Sequence, residues 1–385
     1  MPIRDSHESL SAVNGPRTAQ EAQLPTKVNT LSGTILTVQA LRALAALLVV
    51  LEHCIYLWNL RIAHYPEESR WMNGAAGVDI FFVISGFVMT VSLPALAKYA
   101  NPVQVFLRRR TTRIVPLYWL ATALKLSLLV VAPGLAVREL LTVPNILGSF
   151  LFLFVRNAQN EIAPVIVVGW TLNFEMFFYV IFSLAMLWKD RIFVILASVL
   201  AALAVLSFFS QPSWPTVTAF ASPLLLEFLY GVGIARLAAL QRMPGKMLSS
   251  LLLAMGFVAI LALFPHLTNE PYQLLWRFIF WGVPAAAIVL GAVGLEKVIG
   301  PSLPRWLISL GDASYAIYLA QTFVLPVVGI ALLRLGVKGY AALALSITVG
   351  LTLSAGAGEV VHRFIEKPIL LFLKNRQQRG AGASA

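Results

Sequence analysis

Ten apolar runs, each close to the length of a bilayer crossing, leave this chain little choice of fold. They cover about residues 34–58, 75–97, 114–132, 168–188, 191–210, 218–239, 248–266, 275–295, 310–333 and 339–362. About 20 apolar residues in a helix suffice to span hydrocarbon. In lipid every backbone N–H and C=O needs an internal partner, so such runs cross as helices. Only 12% of the residues are charged, against ~25% in a soluble domain. The sequence therefore predicts an all-α, polytopic helical membrane protein with about ten transmembrane helices. Pro144 to Phe154 is apolar but too short to span, and the longest connection, 133–167, holds no soluble domain.

An even number of crossings puts both termini on one side. Sixteen Lys and Arg fall in the tail and loops on the N-terminal side beyond residue 30, and six in the opposite loops. The positive-inside rule makes the richer side, and so both termini, cytoplasmic. The same distribution explains the net charge of +12 without invoking nucleic acid. Residues 1–30 are polar and lack a signal-peptide core, which predicts a disordered cytoplasmic tail. Residues 31–370 form the membrane domain, and 371–385 a basic cytoplasmic tail. A single cysteine, Cys54, and five scattered His residues give no disulfide and no metal signal.

Ionisable groups inside the runs carry the functional signal. Arg42 and His53 share the first run. Eleven positions at ~100° each return to within ~20°, so both lie on one helix face, ~16 Å apart. A charge at the bilayer centre costs at least ~2.5–3.5 kcal/mol. Two on one stripe point to a polar cavity, unless Arg42 snorkels and a neighbouring helix satisfies His53. Glu52 is rotated ~100° from His53 and receives no role. The orientation puts Arg42 towards the cytoplasm, with His53 and Glu175 together in the outer part, a pairing suited to general base catalysis. Glu175 could equally be a protonated or Arg-paired structural residue. Asp79, inside GVDIFFVISGF, needs a partner or water, or else sits at the interface as a cap, with Ser85 bonding back to its own helix. Gly77 and Gly86 of this stretch permit close helix approach.

The segment FLRRRTTRIVPLYW reads as a basic loop entering the third helix, with Pro116 in that helix's first turn. Its arginines serve topology, or bind a phosphate-bearing ligand through bidentate contacts. Asp312 suits the N-cap of the ninth helix. Tyr315 and Tyr318 lie on one face of that helix, where interfacial anchoring is one reading. His362 to Pro368 forms a juxtamembrane charge cluster.

Six stretches in order resemble the acyltransferase-3 family of integral-membrane acyltransferases: Arg42 with His53, GVDIFFVISGF, RRRTTRIVPLYW, W-x-L-x-x-E at Trp170 to Glu175, SYAIYL at 314–319, and HRFIEKP. The resemblance covers about residues 36–370. The form without a hydrolase-like domain looks most like enzymes that decorate exopolysaccharide or lipopolysaccharide sugars. It implies acyl transfer from cytoplasmic acyl-CoA, with acetyl-CoA the expected donor, to a hydroxyl of a glycan or lipid-linked sugar at the outer side of a bacterial inner membrane. His53 matches the family's essential His and general base, Arg42 its paired Arg, and Glu175 its motif carboxylate. Asp79 is expected to orient the acceptor. Arg108, Arg109, Arg110 and Arg113, with Tyr118 of the same stretch, are expected at the CoA phosphates. Trp170, Asn173, Tyr315, Tyr318 and Gln321 are expected to support substrate. Gln321 departs from the pattern, since the family usually has a His there that can carry a proton. No metal is implied. The rival readings are an ion-coupled transporter, which also buries Arg, His, Asp and Glu, and an inactive scaffold of the same fold.

Overall fold

The computed structural model describes residues 34–64, 73–131, 141–211, 213–263 and 271–382. The predicted tail, 1–30, lies outside them. Their regular structure is helical, apart from one isolated antiparallel bridge between Arg156 and Ile162. The helices in order are α1 Leu36–Trp58, α2 Ala76–Leu96, α3 Pro102–Val131, α4 Val143–Phe150 and α5 Trp170–Ala185. Then follow α6 Ile192–Ser207, α7 Leu225–Ala239, α8 Lys246–Val258, α9 Pro271–Phe280 and α10 Gly282–Gly294. The remainder are α11 Glu296–Ile299, α12 Arg305–Asp312, α13 Ser314–Arg334, α14 Gly339–Val361 and α15 Lys367–Gly382.

Nine helical segments of the described residues are long and apolar enough to cross a membrane. They match nine of the ten predicted runs. The tenth, predicted at 248–266, is the shorter apolar helix Lys246–Ala262. Large apolar side chains remain exposed around the outside, among them Leu124, Leu184, Val194, Leu251 and Leu353. Such a belt is at home in hydrocarbon rather than water.

α1 and α2 occupy the middle of the bundle. α1 packs on α2, α12, α13 and α14, and α2 packs on α7 and α10. The α2–α7 contact depends on two glycines. A Cβ on Gly86 would run into the Phe228 carbonyl, and one on Gly231 into the Val83 carbonyl. Small residues let two backbones approach this closely where no hydrophobic drive exists between helices in lipid. Beside this seam Phe82 and Phe178 both stack on Phe228, with ring centres 4.6 and 4.3 Å away. The N-terminus of α1 is closed from another helix: Glu296 accepts from Leu36 N–H and Thr37 N–H at 2.9 Å each. This satisfies two orphan amides and sets a carboxylate at the positive end of the helix dipole.

Three local expectations change. The RRRTTR stretch is helix, not loop, because α3 already begins at Pro102 and runs for 30 residues to Val131. Thr111 and Thr112 satisfy their hydroxyls on the carbonyls of Leu107 and Arg108, and Arg is a good helix former. Pro116 consequently lies inside the helix rather than in its first turn. Asp312 ends α12 instead of capping α13, whose N-cap position is Ala313 with no side-chain cap bond. At the other end of the chain α14 runs on into α15 through a wider π-type turn, His362–Glu366. There His362 Nδ1 lies 2.8 Å from Glu366 Oε2.

Candidate active site

α1, α2, α3, α5 and α13 enclose one cavity of about 90 Å³, with Arg42, Ser85, Arg110, Arg113, Glu175, Tyr179 and Ser314 among its lining. That is space for several waters. Tyr315 and Tyr318 add to the polar lining, and Val78, Phe81 and Phe82 supply an apolar part, with Phe81 edge-on to Tyr318.

Each polar group is held from a different helix. Arg42 donates through Nε and Nη2 to Ser314 Oγ, at 3.2 and 3.1 Å. Glu175 Oε1 accepts from Ser85 Oγ at 2.9 Å and from Tyr179 Oη at 2.6 Å. Ser85 therefore does not bond back to its own helix. Tyr179 follows Glu175 by four residues, which puts both on one face of α5. Tyr315 donates to the Ile114 carbonyl at 2.7 Å, and Tyr318 to the Val168 carbonyl at 2.8 Å. Both tyrosines are buried, so they tie helices together around the cavity and are not interfacial anchors.

The four arginines of α3 divide by helical phase. Arg110 and Arg113, three apart, face the cavity. Arg108 and Arg109 are exposed, and Arg109 donates to Tyr99 Oη at 2.6 Å. Three guanidiniums thus meet one carboxylate. Arg42 and Arg113 repel, while Glu175 attracts Arg42. The cavity is cationic and suits a polyanion.

His53 stands apart from this lining. Its Nδ1 lies 2.9 Å from the Val49 carbonyl. A carbonyl only accepts, so Nδ1 carries the proton and Nε2 is left as the basic nitrogen. Nε2 is 3.6 Å from Oε2 of Glu52, which is buried. The carboxylate beside His53 is therefore Glu52, whereas Glu175 joins Arg42. The expected His53–Glu175 pairing is not made: Glu52 is buried, its Cβ packed against Gly74 in the turn Asn73–Ala75 that precedes α2.

Asp79 is also elsewhere. Arg277 grips it in bidentate fashion, Nε to Oδ1 at 3.0 Å and Nη2 to Oδ2 at 2.7 Å. Arg277 donates further to the Ala75 carbonyl and lies over the Trp281 and Trp170 rings, 4.7 and 5.8 Å from their centres. Glu227, fully buried, lies against Asp79. With its carboxylate engaged by Arg277, Asp79 is a support of the α2 wall rather than a group facing an acceptor. Neither Arg277 nor Glu227 was singled out in the sequence, although each is a charge inside an apolar run, the signal that marked Asp79.

The remaining predicted residues form a buried surround. Tyr118 is fully buried against Phe152, centres 4.8 Å apart, and is not among the residues that line the cavity. Trp170 packs edge-on against Phe82 and Phe174. Asn173 is completely buried with no partner for either amide atom. Gln321 donates to the Tyr318 carbonyl at 3.1 Å, and its oxygen is unpaired.

Comparison with known proteins agrees with this architecture. The acyltransferase domain family matches residues 35–357. The exopolysaccharide production protein ExoZ of Rhizobium meliloti (strain 1021) is 35% identical over 321 residues, 80% of this chain and 93% of ExoZ. YrhL of Bacillus subtilis (strain 168), named as a candidate peptidoglycan O-acetyltransferase, is 28% identical over 80% of this chain and 53% of its own length. The acyltransferase MdmB of Streptomyces mycarofaciens is 28% identical over 79% of this chain and 83% of its own. No solved structure matches the chain.

Proposed function

Because the chain belongs to the acyltransferase-3 family, and so is an integral-membrane acyltransferase, we propose that it moves an acetyl group from acetyl-CoA to a hydroxyl of a glycan or lipid-linked sugar. The observation that carries this reading is the cationic cavity, where Arg42, Arg110 and Arg113 face the single carboxylate Glu175. A phosphate-bearing donor is the natural complement of such a site, since guanidinium groups bind phosphate in bidentate fashion. The names of the relatives, exopolysaccharide production and peptidoglycan O-acetylation, support a glycan acceptor.

In this mechanism the arginines of α3 hold donor phosphates at the basic end of the bundle. Arg42, fixed by Ser314, holds the acyl-bearing arm along the α1 stripe and directs its thioester towards His53. Nε2 of His53 takes the hydroxyl proton, and Glu52 stabilises the resulting imidazolium. The carbon–sulfur bond breaks, the acyl group stays on the sugar oxygen, and the CoA thiolate leaves. Donor and acceptor enter from opposite faces, with both termini on the cytoplasmic side of an inner membrane.

The test is transfer of label from radiolabelled acetyl-CoA to glycan acceptors by purified protein in proteoliposomes, wild type beside His53→Ala and Arg110→Ala. Label on acceptor with wild type alone supports the reading. Equal transfer by His53→Ala refutes the base assignment, and no transfer from any acyl-CoA by folded wild type refutes the donor.

A further inference from the structure

A second cavity lies outside the reaction site. It has a volume of about 450 Å³ and sits between the ends of α2, α6 and α7, with Thr90, Pro94, Met186, Ile192 and Phe193 in its walls. That volume is in the ~300–1,000 Å³ range of ligand pockets. Its lining is apolar apart from Thr90 and two cations, Lys189 and Arg236. Neither cation has an acidic partner among the described residues, and Asp190, next to Lys189, pairs with neither. Arg236 lies over the Phe193 ring, 4.4 Å from its centre, at the mouth of the cavity. Pro94 removes the amide that would have bonded to the Thr90 carbonyl, which adds a polar notch to the wall.

We propose that this cleft is a binding site for an anionic glycerophospholipid, its headgroup on Lys189 and Arg236 and an acyl chain in the apolar space. The chemistry argues for lipid over a soluble anion. Both cations stand where helices end, Lys189 just beyond α5 and Arg236 in the last turn of α7, the depth at which headgroups lie. The walls below them are apolar, so a chain is favoured there and water is not. Basic pockets between helices at a membrane face select anionic headgroups. The site also touches the reaction cavity through one helix. Ser85 and Val88 of α2 line the first cavity, and Thr90 and Val91 line the cleft. Occupancy therefore supports the stretch of α2 that presents Ser85 to Glu175.

The experiment uses the full chain in phosphatidylcholine nanodiscs with a trace of phosphatidylglycerol bearing a diazirine in its acyl chain. Crosslinks are mapped by peptide mass spectrometry. Label should concentrate in peptides covering 90–97 and 186–193. It should fall at least threefold in Lys189→Gln/Arg236→Gln, and not in the control Arg242→Gln. Unlabelled phosphatidylglycerol should compete and phosphatidylcholine should not. Label spread evenly over lipid-facing faces such as those of α6 and α14, or unchanged in the double variant, overturns the proposal.

Discussion

The cluster of Asp79, Glu227 and Arg277 yields a stability prediction with a built-in control. Asp79→Asn removes the carboxylate that receives two guanidinium hydrogen bonds, in a pair whose side chains are 0% and 11% exposed. Breaking a buried ion pair from one side costs about 3–5 kcal/mol, because the other charge is left uncompensated. Here Glu227 still faces Arg277 and attracts it, so Asp79→Asn alone should fall at the low end, about 3 kcal/mol. Asp79→Asn/Glu227→Gln strips both acids and should reach about 5 kcal/mol. At roughly 2 °C per kcal/mol for a large chain, the melting temperature drops by about 6 °C and then about 10 °C. Glu227→Gln by itself keeps the shape and leaves the Asp79–Arg277 pair intact, so it should move melting by about 2 °C or less. The assay is thermal unfolding of detergent-solubilised protein followed by fluorescence-detected gel filtration. If Asp79→Asn melts with the wild type, or if adding Glu227→Gln to it changes nothing, the cluster does not balance charge as described.

Arg110→Gln and Arg113→Gln should each lower kcat/KM for acyl-CoA about 10- to 100-fold, the value of a charged hydrogen bond of about 1.5–3 kcal/mol. Arg108→Gln and Arg109→Gln, on the exposed face, should change it less than about threefold; steady-state kinetics would contradict the phase argument if all four behaved alike. Glu52→Gln should lower kcat about tenfold with KM little changed, since about 1.4 kcal/mol of imidazolium stabilisation is lost; a rise in KM at constant kcat would put Glu52 in binding instead. Gly231→Ala sets a methyl against the Val83 carbonyl and should cost about 1–3 kcal/mol by overpacking, read as a lower melting temperature, whereas Gly233→Ala, with open space around it, should not.

The depth estimate shows where linear reasoning fails. Counting residues from the ends of α1 and α5 put Glu175 level with His53. The real pairing depends on side-chain length and on which face of each helix is buried, and neither is visible in a residue count. Arg42 reaches Ser314, 272 positions along the chain, and Arg277 reaches Asp79 across 198. No local pattern announces partners so far apart. The division of the four arginines was accessible in principle, since phase along a helix follows from spacing once α3 is known to begin at Pro102. Reading that stretch as a loop hid it.

What the sequence alone determined was the solvent of this protein and the family chemistry. Apolar run lengths in a chain with few charges dictate crossing helices, because lipid offers backbone groups no other partner. The spaced motifs identify a membrane acyltransferase. The tertiary structure decided which buried charges meet. It gathered Arg42, Arg110, Arg113 and Glu175 around one cavity, gave His53 Glu52 as its neighbour, and joined Asp79 to Arg277. Such choices belong to packing, since in a low-dielectric interior a charge is tolerated only beside its partner. Except for Glu52, which adjoins His53 on α1, the partners named come from helices distant in sequence and adjacent only in the fold.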